Sequence, residues 1–230
     1  MKKCLVFGAS GVLGSEVVTR FESQGYEVWR ASRSAKSSST RNLVAVGDSE
    51  IDSQVMKSWP EFDAVVWAQG SNINDSIVNF SSQIFDDLLH ANLKFVATTL
   101  ATLLSSGRIL AGSRLCVVSS IWQDATRTNK LSYSVSKAAL NGLVKSVALD
   151  LSEKKIFVNA VLPGVIDTPM TRTVLSDVQI RTVESRTGFD RLVLPNELSA
   201  LIYFLCSDSN TCVTGQSIVA DLGFSNVIPL

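Results

Sequence analysis

Short apolar, β-branched stretches alternate along this chain with longer segments in which apolar residues recur at helical spacing. Each short stretch is almost continuously apolar, which is typical of a strand buried on both faces of a parallel sheet. The pattern predicts strands near residues 3–8, 26–30, 43–46, 63–68, 114–119, 156–162 and 217–220. It predicts helices near residues 12–24, 50–58, 81–106, 132–153 and 195–206. The alternation favours an α/β fold, a doubly wound parallel sheet of about seven strands with helices on both faces.

Glycine and polar residues follow several of these strands at the point where the strand ends. Gly8, residues 67–70, residues 119–120 and residues 163–164 all fall at such carboxyl ends. Ligands of doubly wound sheets bind beyond the carboxyl ends of the strands. These residues therefore predict a ligand site along one edge of the sheet.

Composition and charge narrow the class of protein. A chain of 230 residues without a linker or low-complexity segment is predicted to form a single domain over residues 1–230. Its 21 basic and 21 acidic residues balance, so neither nucleic acid nor an anionic membrane is expected as a partner. No uninterrupted apolar run reaches the roughly 18 residues of a membrane span, and the apolar start is too short for a signal peptide. The four cysteines show neither disulfide nor zinc spacing, so we expect a cytoplasmic protein without a metal site.

Three glycines mark the turn between the first strand and the first helix. Gly8, Gly11 and Gly14 are spaced three residues apart. Such a turn lets a pyrophosphate approach the free N–H groups at the amino end of the helix. The expected phosphate contacts are Ser10, Gly11, Val12, Leu13 and Gly14. A plain tight turn would use the same residue type.

Tyr133 and Lys137 stand four residues apart in a predicted helix, which places them on one face. A nearby ammonium favours the phenolate, so Lys137 is expected to lower the pKa of Tyr133 from its free value of about 10. A phenol adjusted in this way can exchange a proton with a substrate oxygen. Such pairs also arise by chance on solvated helices.

Further motifs fall in order around this pair. Ser120 lies thirteen residues before Tyr133, Asn92 stands in Ala-Asn-Leu-Lys, and residues 158–170 read Val-Asn-Ala-Val-Leu-Pro-Gly-Val-Ile-Asp-Thr-Pro-Met. Together with the glycine turn these motifs resemble the short-chain dehydrogenase/reductase family in its compact, Rossmann-type form. The resemblance extends from about residue 3 to residue 224. The chain departs from the usual glycine turn by carrying Phe7 and Val12, with Gly11 as the middle glycine.

The resemblance implies a role for each catalytic position. Tyr133 would be the general acid/base, and Lys137 would lower its pKa and hold the nicotinamide ribose. Ser120 would orient and polarise the substrate carbonyl, with Ser119 as the competing serine. Asn92 would support a water that links Lys137 to solvent; alternatively, it is a polar residue that bends its helix.

The resemblance also implies the cofactor contacts. The second predicted strand ends without an acidic residue, and Ser32-Arg33 resembles the pair that holds the 2′-phosphate in NADP-dependent relatives. We therefore expect NADP(H) to be preferred and NAD(H) to be possible, although Arg33 could be a solvated loop charge. Arg30 could assist. The remaining expected cofactor contacts are Asp48, Ala68, Gln69, Gly70, Tyr133, Lys137, Pro163, Gly164, Ile166 and Thr168.

Two segments resemble the substrate-side loops of the family. Residues 165–192 correspond to its variable substrate loop, and residues 121–130 correspond to the loop that follows Ser120. Trp122 either covers the site or anchors its loop. Met170, Val174, Leu175 and Phe189 either line an apolar pocket or pack against the body. His90 is expected to be an exposed helical residue.

The two long predicted helices imply assembly. In the family, the helices corresponding to 81–106 and 132–153 pack against a partner's copies, so a homodimer or homotetramer is expected. Close approach would be permitted by small residues on both helices, namely Ala97, Thr98, Ala101, Ala138, Gly142 and Ser146. Packing against the chain's own sheet would explain one face of each helix.

The resemblance implies an NADP(H)-dependent oxidoreductase that interconverts a small-molecule carbonyl and an alcohol. One alternative is a regulatory protein that senses a dinucleotide without turnover. Another is a sugar-nucleotide epimerase or dehydratase. Such relatives usually carry an additional carboxyl-terminal substrate domain, for which these 230 residues leave no room.

Overall fold

A computed structural model of the protein describes residues 1–32, 43–45 and 56–226, with backbone only for 43–45. Its strands all pair in parallel in one seven-stranded sheet of order β3-β2-β1-β4-β5-β6-β7. They are Lys3–Phe7 (β1), Glu27–Ser32 (β2), Leu43–Ala45 (β3), Phe62–Trp67 (β4), Ile109–Val118 (β5), Phe157–Pro163 (β6) and Ser217–Ala220 (β7). This order confirms the predicted doubly wound parallel sheet.

Helices occupy the crossovers between these strands. They are Val12–Ser23 (α1), Ser82–Leu89 (α2), Phe95–Ser105 (α3), Leu131–Asp150 (α4), Pro169–Val174 (α5), Asp177–Glu184 (α6) and Pro195–Cys206 (α7). The prediction of a single helix near 81–106 is corrected by the structure. A π-helical turn, His90–Lys94, separates α2 from α3. The predicted helix near 50–58 falls largely outside the described residues.

Two short helices stand inside residues 165–192, which the sequence analysis treated as a loop. Thr168 caps α5 by accepting a hydrogen bond from the Thr171 N–H. Ser176 and Gln179 form a capping box at the start of α6. Side-chain caps satisfy backbone N–H groups that a helix leaves without partners.

Alternate residues of the strands point to opposite faces of the sheet, as the two-residue period of a strand requires. Leu5, Phe7 and Val65 pack on one face with α3 and α4. Cys4, Val6 and Ala64 pack on the other face with α1 and α7. Helices therefore cover both faces, which explains why the strands read as continuous apolar runs.

Strand β5 begins at Ile109, five residues before the predicted start near 114. Its pairing with β4 shifts register between Phe62 and Ala64, and Gly112 adopts a φ of +79°. The glycine and this irregularity interrupt the apolar pattern, so the sequence analysis missed the first half of the strand.

The continuous segment Ser82–Ser105 is long and apolar enough to span a membrane by length and composition, with a mean hydropathy of 1.2 in its best window. Polar residues interrupt this segment, so it contains no apolar run of roughly 18 residues and was not predicted to span a membrane. A single helix of this kind is weak evidence, because a core helix of a soluble protein meets the same criterion. Here Val96, Leu100 and Leu103 pack into the core beneath the sheet.

The chain reverses direction across the sheet at β1, which pairs with β2 on one side and β4 on the other. Phe7 and Trp67 are register partners at the ends of β1 and β4. The segments that follow them, Gly8 and residues 68–70, therefore meet at the switch point where doubly wound sheets bind ligands.

Candidate active site

The glycine turn is built by close backbone approaches. Gly8 adopts a φ of +76°, and a Cβ there would lie 2.7 Å from the Gln69 nitrogen. A Cβ on Gly14 would lie 2.1 Å from the Gly8 carbonyl oxygen. Gly11 differs, since its φ is −76° and its Cβ would meet that oxygen at 3.4 Å. Gly8 and Gly14 are thus demanded by packing, whereas Gly11 is not.

The amino end of α1 offers backbone donors at this turn. Gly11 is the N-cap, and no side chain caps the helix within the described ranges. Ser10, Gly11 and Val12 are exposed, while Leu13 and Gly14 are buried beneath them. The free N–H groups and the helix dipole favour an anion such as a pyrophosphate.

Two buried oxygen atoms lie at the ends of β4 and β5 without a hydrogen-bond partner among the described residues. They are Gln69 Oε1 and Ser119 Oγ. Because Trp67 and Val117 are register partners, Gln69 and Ser119 each lie two positions beyond a paired residue. Buried polar atoms rarely remain without a partner, so these atoms and the free N–H groups of α1 fit a polar ligand such as a dinucleotide.

The catalytic candidates meet beside this crevice. Tyr133 and Lys137 lie on one face of α4, with Lys137 Nζ 5.7 Å from the centroid of the Tyr133 ring. Ser120 follows β5 and hydrogen-bonds the Tyr133 side chain. A side chain added at Gly70 would begin 3.5 Å from Lys137 Nζ and 3.1 Å from Asn92 Oδ1. The structure therefore brings together all four residues that the sequence analysis named as catalytic.

The electrostatics of the tyrosine differ from the expectation. Burial raises the pKa of Tyr133 above its usual value of 10, and the hydrogen bond with Ser120 opposes this increase. The net shift is therefore opposite in direction to the lowered pKa that was expected for Tyr133. The physical reason is that desolvation of the phenolate outweighs the hydrogen bond with Ser120.

Lys137 is itself buried and directed at the sheet. Its Nζ donates a 3.0 Å hydrogen bond to the Val118 carbonyl at the end of β5. Burial lowers the pKa of Lys137 to about 8. The amine is therefore held near the protonation midpoint at mildly alkaline pH.

Asn92 occupies the π-helical turn and joins three elements. Its Oδ1 accepts from the Ser71 N–H at 2.8 Å, and its Nδ2 donates to the Ser71 carbonyl at 3.0 Å. The same Nδ2 donates to Ser136 Oγ at 2.9 Å. Asn92 lies where the helix is irregular and beside Lys137, and both expected roles stay predictions. π-Helical turns occur often at functional sites.

The end of β2 carries part of the predicted 2′-phosphate site. Ser32 is buried at the last position of the strand. Arg33 and Asp48 lie outside the described residues, so their predicted contacts stay predictions. Arg30, which could have assisted, forms an ion pair with Glu22 on α1.

Beyond β6, the chain passes close to the end of β7. Pro163 ends β6, and a Cβ on Gly164 would lie 2.7 Å from the Asp221 Cβ. The Ile166 carbonyl accepts from Thr171 Oγ1 at 2.7 Å. This carbonyl and the hydroxyl of Thr168, which caps α5, therefore have partners inside the loop, an arrangement that the sequence analysis did not foresee.

Two aromatic side chains, those of Trp122 and Phe224, contact each other next to Ser120. Trp122 donates its backbone N–H to Ser120 Oγ at 3.2 Å, and its ring lies 6.5 Å from that of Phe224. The Arg186 guanidinium lies 5.2 Å from the Phe224 ring centroid. Met170, Val174 and Phe189 are largely exposed, so they do not pack against the body.

Sequence reasoning missed two buried charged residues beside the catalytic helix. Asp75 accepts hydrogen bonds from the backbone N–H and the hydroxyl of Ser132 in the first turn of α4. Lys130 precedes α4, and its Nζ lies 5.3 Å from the Tyr133 ring centroid. Helical spacing gave no signal for Lys130, because it is the N-cap of α4 and its φ of −132° is not helical.

With this geometry established, comparisons with known proteins identify the class. A family model described as enoyl-(acyl carrier protein) reductase matches residues 8–225. The chain belongs to the short-chain dehydrogenase/reductase family. Members of this family are oxidoreductases that use nicotinamide cofactors.

Two curated relatives show the degree of sequence identity between this chain and other proteins. Over 239 residues it is 27% identical to the Thermotoga maritima protein "3-oxoacyl-(acyl-carrier-protein) reductase FabG", covering 96% of this chain and 97% of that one. It is 29% identical over 145 residues to bovine "Dehydrogenase/reductase SDR family member 4", a match that spans 63% of this chain and only 52% of that protein.

A short-chain dehydrogenase family protein from Francisella tularensis superposes with a TM-score of 0.87 at 26% identity, covering 98% of this chain and 99% of that one. The Thermoplasma acidophilum aldohexose dehydrogenase superposes with a TM-score of 0.86 at 22% identity over 100% and 96% of the two chains, which shows the fold alone.

Proposed function

We propose that this protein is an NADP(H)-dependent oxidoreductase that interconverts a small-molecule carbonyl and an alcohol. The observation that carries the proposal is the meeting of Ser120, Tyr133, Lys137 and Asn92 next to the glycine turn. This cluster combines a proton-transfer group, a cation and a hydroxyl donor. A regulatory protein that only senses a dinucleotide would have no need for it.

Each residue has a defined task in carbonyl reduction. A nicotinamide cofactor would supply the hydride when bound. The Ser120 and Tyr133 hydroxyls donate hydrogen bonds to the substrate oxygen and stabilise the negative charge that develops on it. Tyr133 then passes its proton to that oxygen. Lys137 and Asn92 provide polar side chains at the base of the site, beside Gly70.

The raised pKa of Tyr133 favours one direction near neutral pH. A phenol whose pKa lies above 10 remains protonated at pH 7, so Tyr133 is ready to act as a general acid. Alcohol oxidation instead requires the phenolate. We therefore expect carbonyl reduction to dominate near pH 7 and alcohol oxidation to increase as the pH is raised toward 10. Initial rates in both directions from pH 6 to 10 measure this; oxidation that is fastest below pH 7 would contradict it.

Replacement of Tyr133 by Phe tests the mechanism directly. Loss of the hydroxyl should reduce kcat by about 10²–10⁴-fold or more, because no other described group at this position transfers the proton. Binding of NADPH, followed by nicotinamide emission, should change little because the ring and the glycine turn stay in place. Full turnover by Tyr133→Phe would end this mechanism, whereas tight cofactor binding without turnover in the wild type would favour the regulatory alternative.

The preference for NADP(H) rests on the end of β2. The strand ends at Ser32 without an acidic residue to bond the ribose hydroxyls, and Arg33 follows it in the sequence. Arg binds phosphate by charge-assisted, paired hydrogen bonds. Arg33→Ala should weaken NADPH binding by about tenfold or more and leave NADH binding nearly unchanged.

Fluorescence titration with both cofactors provides the measurement, and Lys57→Ala is a matched control. Lys57 is exposed and precedes the amino end of β4, at the edge of the sheet opposite to the glycine turn. Equal effects of Arg33→Ala on the two cofactors would reject the preference.

A further inference from the structure

Tyr133 is flanked by two lysines, and the mechanism uses only one of them. Lys130 Nζ lies 5.3 Å and Lys137 Nζ 5.7 Å from the centroid of the Tyr133 ring. Lys130 is the N-cap of α4, three residues before the tyrosine, and Lys137 lies within the helix, four residues after it. Lys137 Nζ donates a hydrogen bond to the Val118 carbonyl and lies beside Gly70.

The ammonium of Lys130 is buried with few partners. The residue is only 4% exposed. Its Nζ donates a hydrogen bond to Asn72 Oδ1, the one acceptor that the described residues provide. A lysine ammonium carries three N–H donors. Two donors therefore remain for a group outside the protein, in a place where desolvation makes an unsatisfied cation costly.

The charges around Lys130 do not neutralise it. Asp75 supplies one negative charge that acts on Lys130, and it also accepts hydrogen bonds from the backbone N–H and hydroxyl of Ser132. Arg127, in the loop that follows Ser120, adds a second positive charge that acts on Lys130. Asn72 is neutral and exposed. The substrate side of Tyr133 is therefore electropositive.

We propose that Lys130 binds a carboxylate of the substrate, so that the carbonyl compounds of the proposed function are oxo acids and the alcohols are hydroxy acids. This inference rests on the proposed function, because it places the carbonyl at Ser120 and Tyr133 and the carboxylate at Lys130. Because Lys130 Nζ lies 5.3 Å from the centroid of the Tyr133 ring, the proposal requires a short oxo acid.

The protonation of Lys130 adds a dependence on pH. Burial and the charge of Arg127 lower the pKa of Lys130 to about 8, against the opposing effect of Asp75. The ammonium is present below pH 8 and is lost above it. The KM for an oxo acid should therefore rise above pH 8, whereas the KM for its neutral ester should not follow this titration.

The test compares two oxo acids, pyruvate and acetoacetate, with their ethyl esters, using NADPH as the reductant. The variants are Lys130→Met, Lys130→Arg and the control Lys145→Met, which removes an exposed lysine of α4. We expect Lys130→Met to lower the ratio of kcat/KM for acid over ester by about tenfold or more, through KM. Lys130→Arg should retain most of the ratio, and Lys145→Met should leave it unchanged.

Calorimetric titration of the protein with acetoacetate in the presence of NADP⁺ gives a second readout that needs no turnover. Binding that is lost in Lys130→Met and kept in Lys145→Met supports the inference. Equal losses for acid and ester, or acetoacetate binding that does not depend on Lys130, would overturn it. A wild type that reduces neither acid nor ester refutes the proposed function for these substrates, and the binding measurement then decides the role of Lys130 separately.

Discussion

At the scale of one residue, Lys137 is a buried amine whose protonated form lowers the stability of the fold. Its side chain is buried, and burial lowers its pKa from 10.5 to about 8. A shift of this size means that the protein destabilises the protonated amine relative to water. One hydrogen bond to Val118 offsets part of this cost. The buried amine therefore lowers the stability of the fold, and its proposed role is at the active site.

Replacement of Lys137 by Met should therefore stabilise the fold while it abolishes turnover. The shift corresponds to roughly 3 kcal/mol at pH 7, from which loss of the Val118 hydrogen bond subtracts about 1 kcal/mol. Because the folded pKa lies below the unfolded one, the penalty in the wild type is full below pH 8 and disappears as the pH rises toward 10.5. The gain in free energy of unfolding should be largest below pH 8 and shrink above it.

Chemical denaturation at pH 7, 9 and 10.5 measures this gain. Lys145→Met is the matched control, since Lys145 is exposed on the same helix. A Lys137→Met protein that is less stable than the wild type at pH 7 would show that the ammonium supports the fold.

Single-residue motifs were predictable to different degrees. Tyr133, Lys137 and Ser120 could be identified because their spacing along the chain fixes their side chains on one helix face and one strand end. Lys130 and Asp75 were not identified, because their roles depend on contacts with residues 57 or more positions away. Such contacts leave no periodic signal in a sequence.

At the scale of elements, the glycine turn separates two kinds of glycine. Gly14 allows α1 to pack against the carbonyl of Gly8, and no side chain fits there. Gly11 has an ordinary φ of −76° and open space beyond 3.4 Å. The shape of the turn thus depends on Gly8 and Gly14, and not on Gly11.

Substitution by Ala should distinguish them. Gly14→Ala places a Cβ 2.1 Å from a backbone oxygen, so we expect a loss of more than about 2 kcal/mol in free energy of unfolding. Gly11→Ala should change stability by less than about 0.5 kcal/mol. Thermal unfolding measures both, and NADPH titration of Gly11→Ala shows whether access to the helix N-terminus needs glycine. Similar losses for the two variants would refute this distinction.

The π-helical turn between α2 and α3 was beyond sequence reasoning. The apolar pattern from 81 to 106 is that of one helix, because a single π-helical turn shifts the periodicity only locally. What fixes the turn in place is tertiary, since Asn92 bonds both backbone groups of Ser71 and the hydroxyl of Ser136. The turn brings the end of β4 and the catalytic helix together.

At the scale of the whole molecule, one face of α3 and α4 remains apolar after the sheet is covered. A shallow groove of about 150 Å³ runs between them, lined by Ala97, Leu100, Ala101, Leu104, Leu143, Val147, Asp150 and Leu151. Leu149 is 75% exposed on the same helix pair. This groove and Leu149 lie on the surface that the expected homodimer or homotetramer would cover.

A charge in this groove should prevent assembly. Ala101 is exposed and lines the groove, so Ala101→Arg would place a guanidinium against a partner's apolar face. Light scattering at micromolar concentration should show a multiple of the chain mass for the wild type and a single chain for the variant. Glu61→Arg, an exposed change before β4, is the control. A wild-type protein that is monomeric would remove the proposal.

The sequence by itself determined the parallel sheet, the helices α1, α4 and α7, the family and the positions of the four candidate catalytic residues. Strand and helix periods and short spacings are local, so they can be recognised along the chain. The tertiary structure decided the rest. Burial raises the pKa of Tyr133, and Lys137 hydrogen-bonds the Val118 carbonyl. Arg30 forms an ion pair with Glu22, and Lys130 lies next to the Tyr133 ring. Burial, desolvation and contacts between distant residues exist only once the chain has folded, so no pattern along the chain could have given their sign.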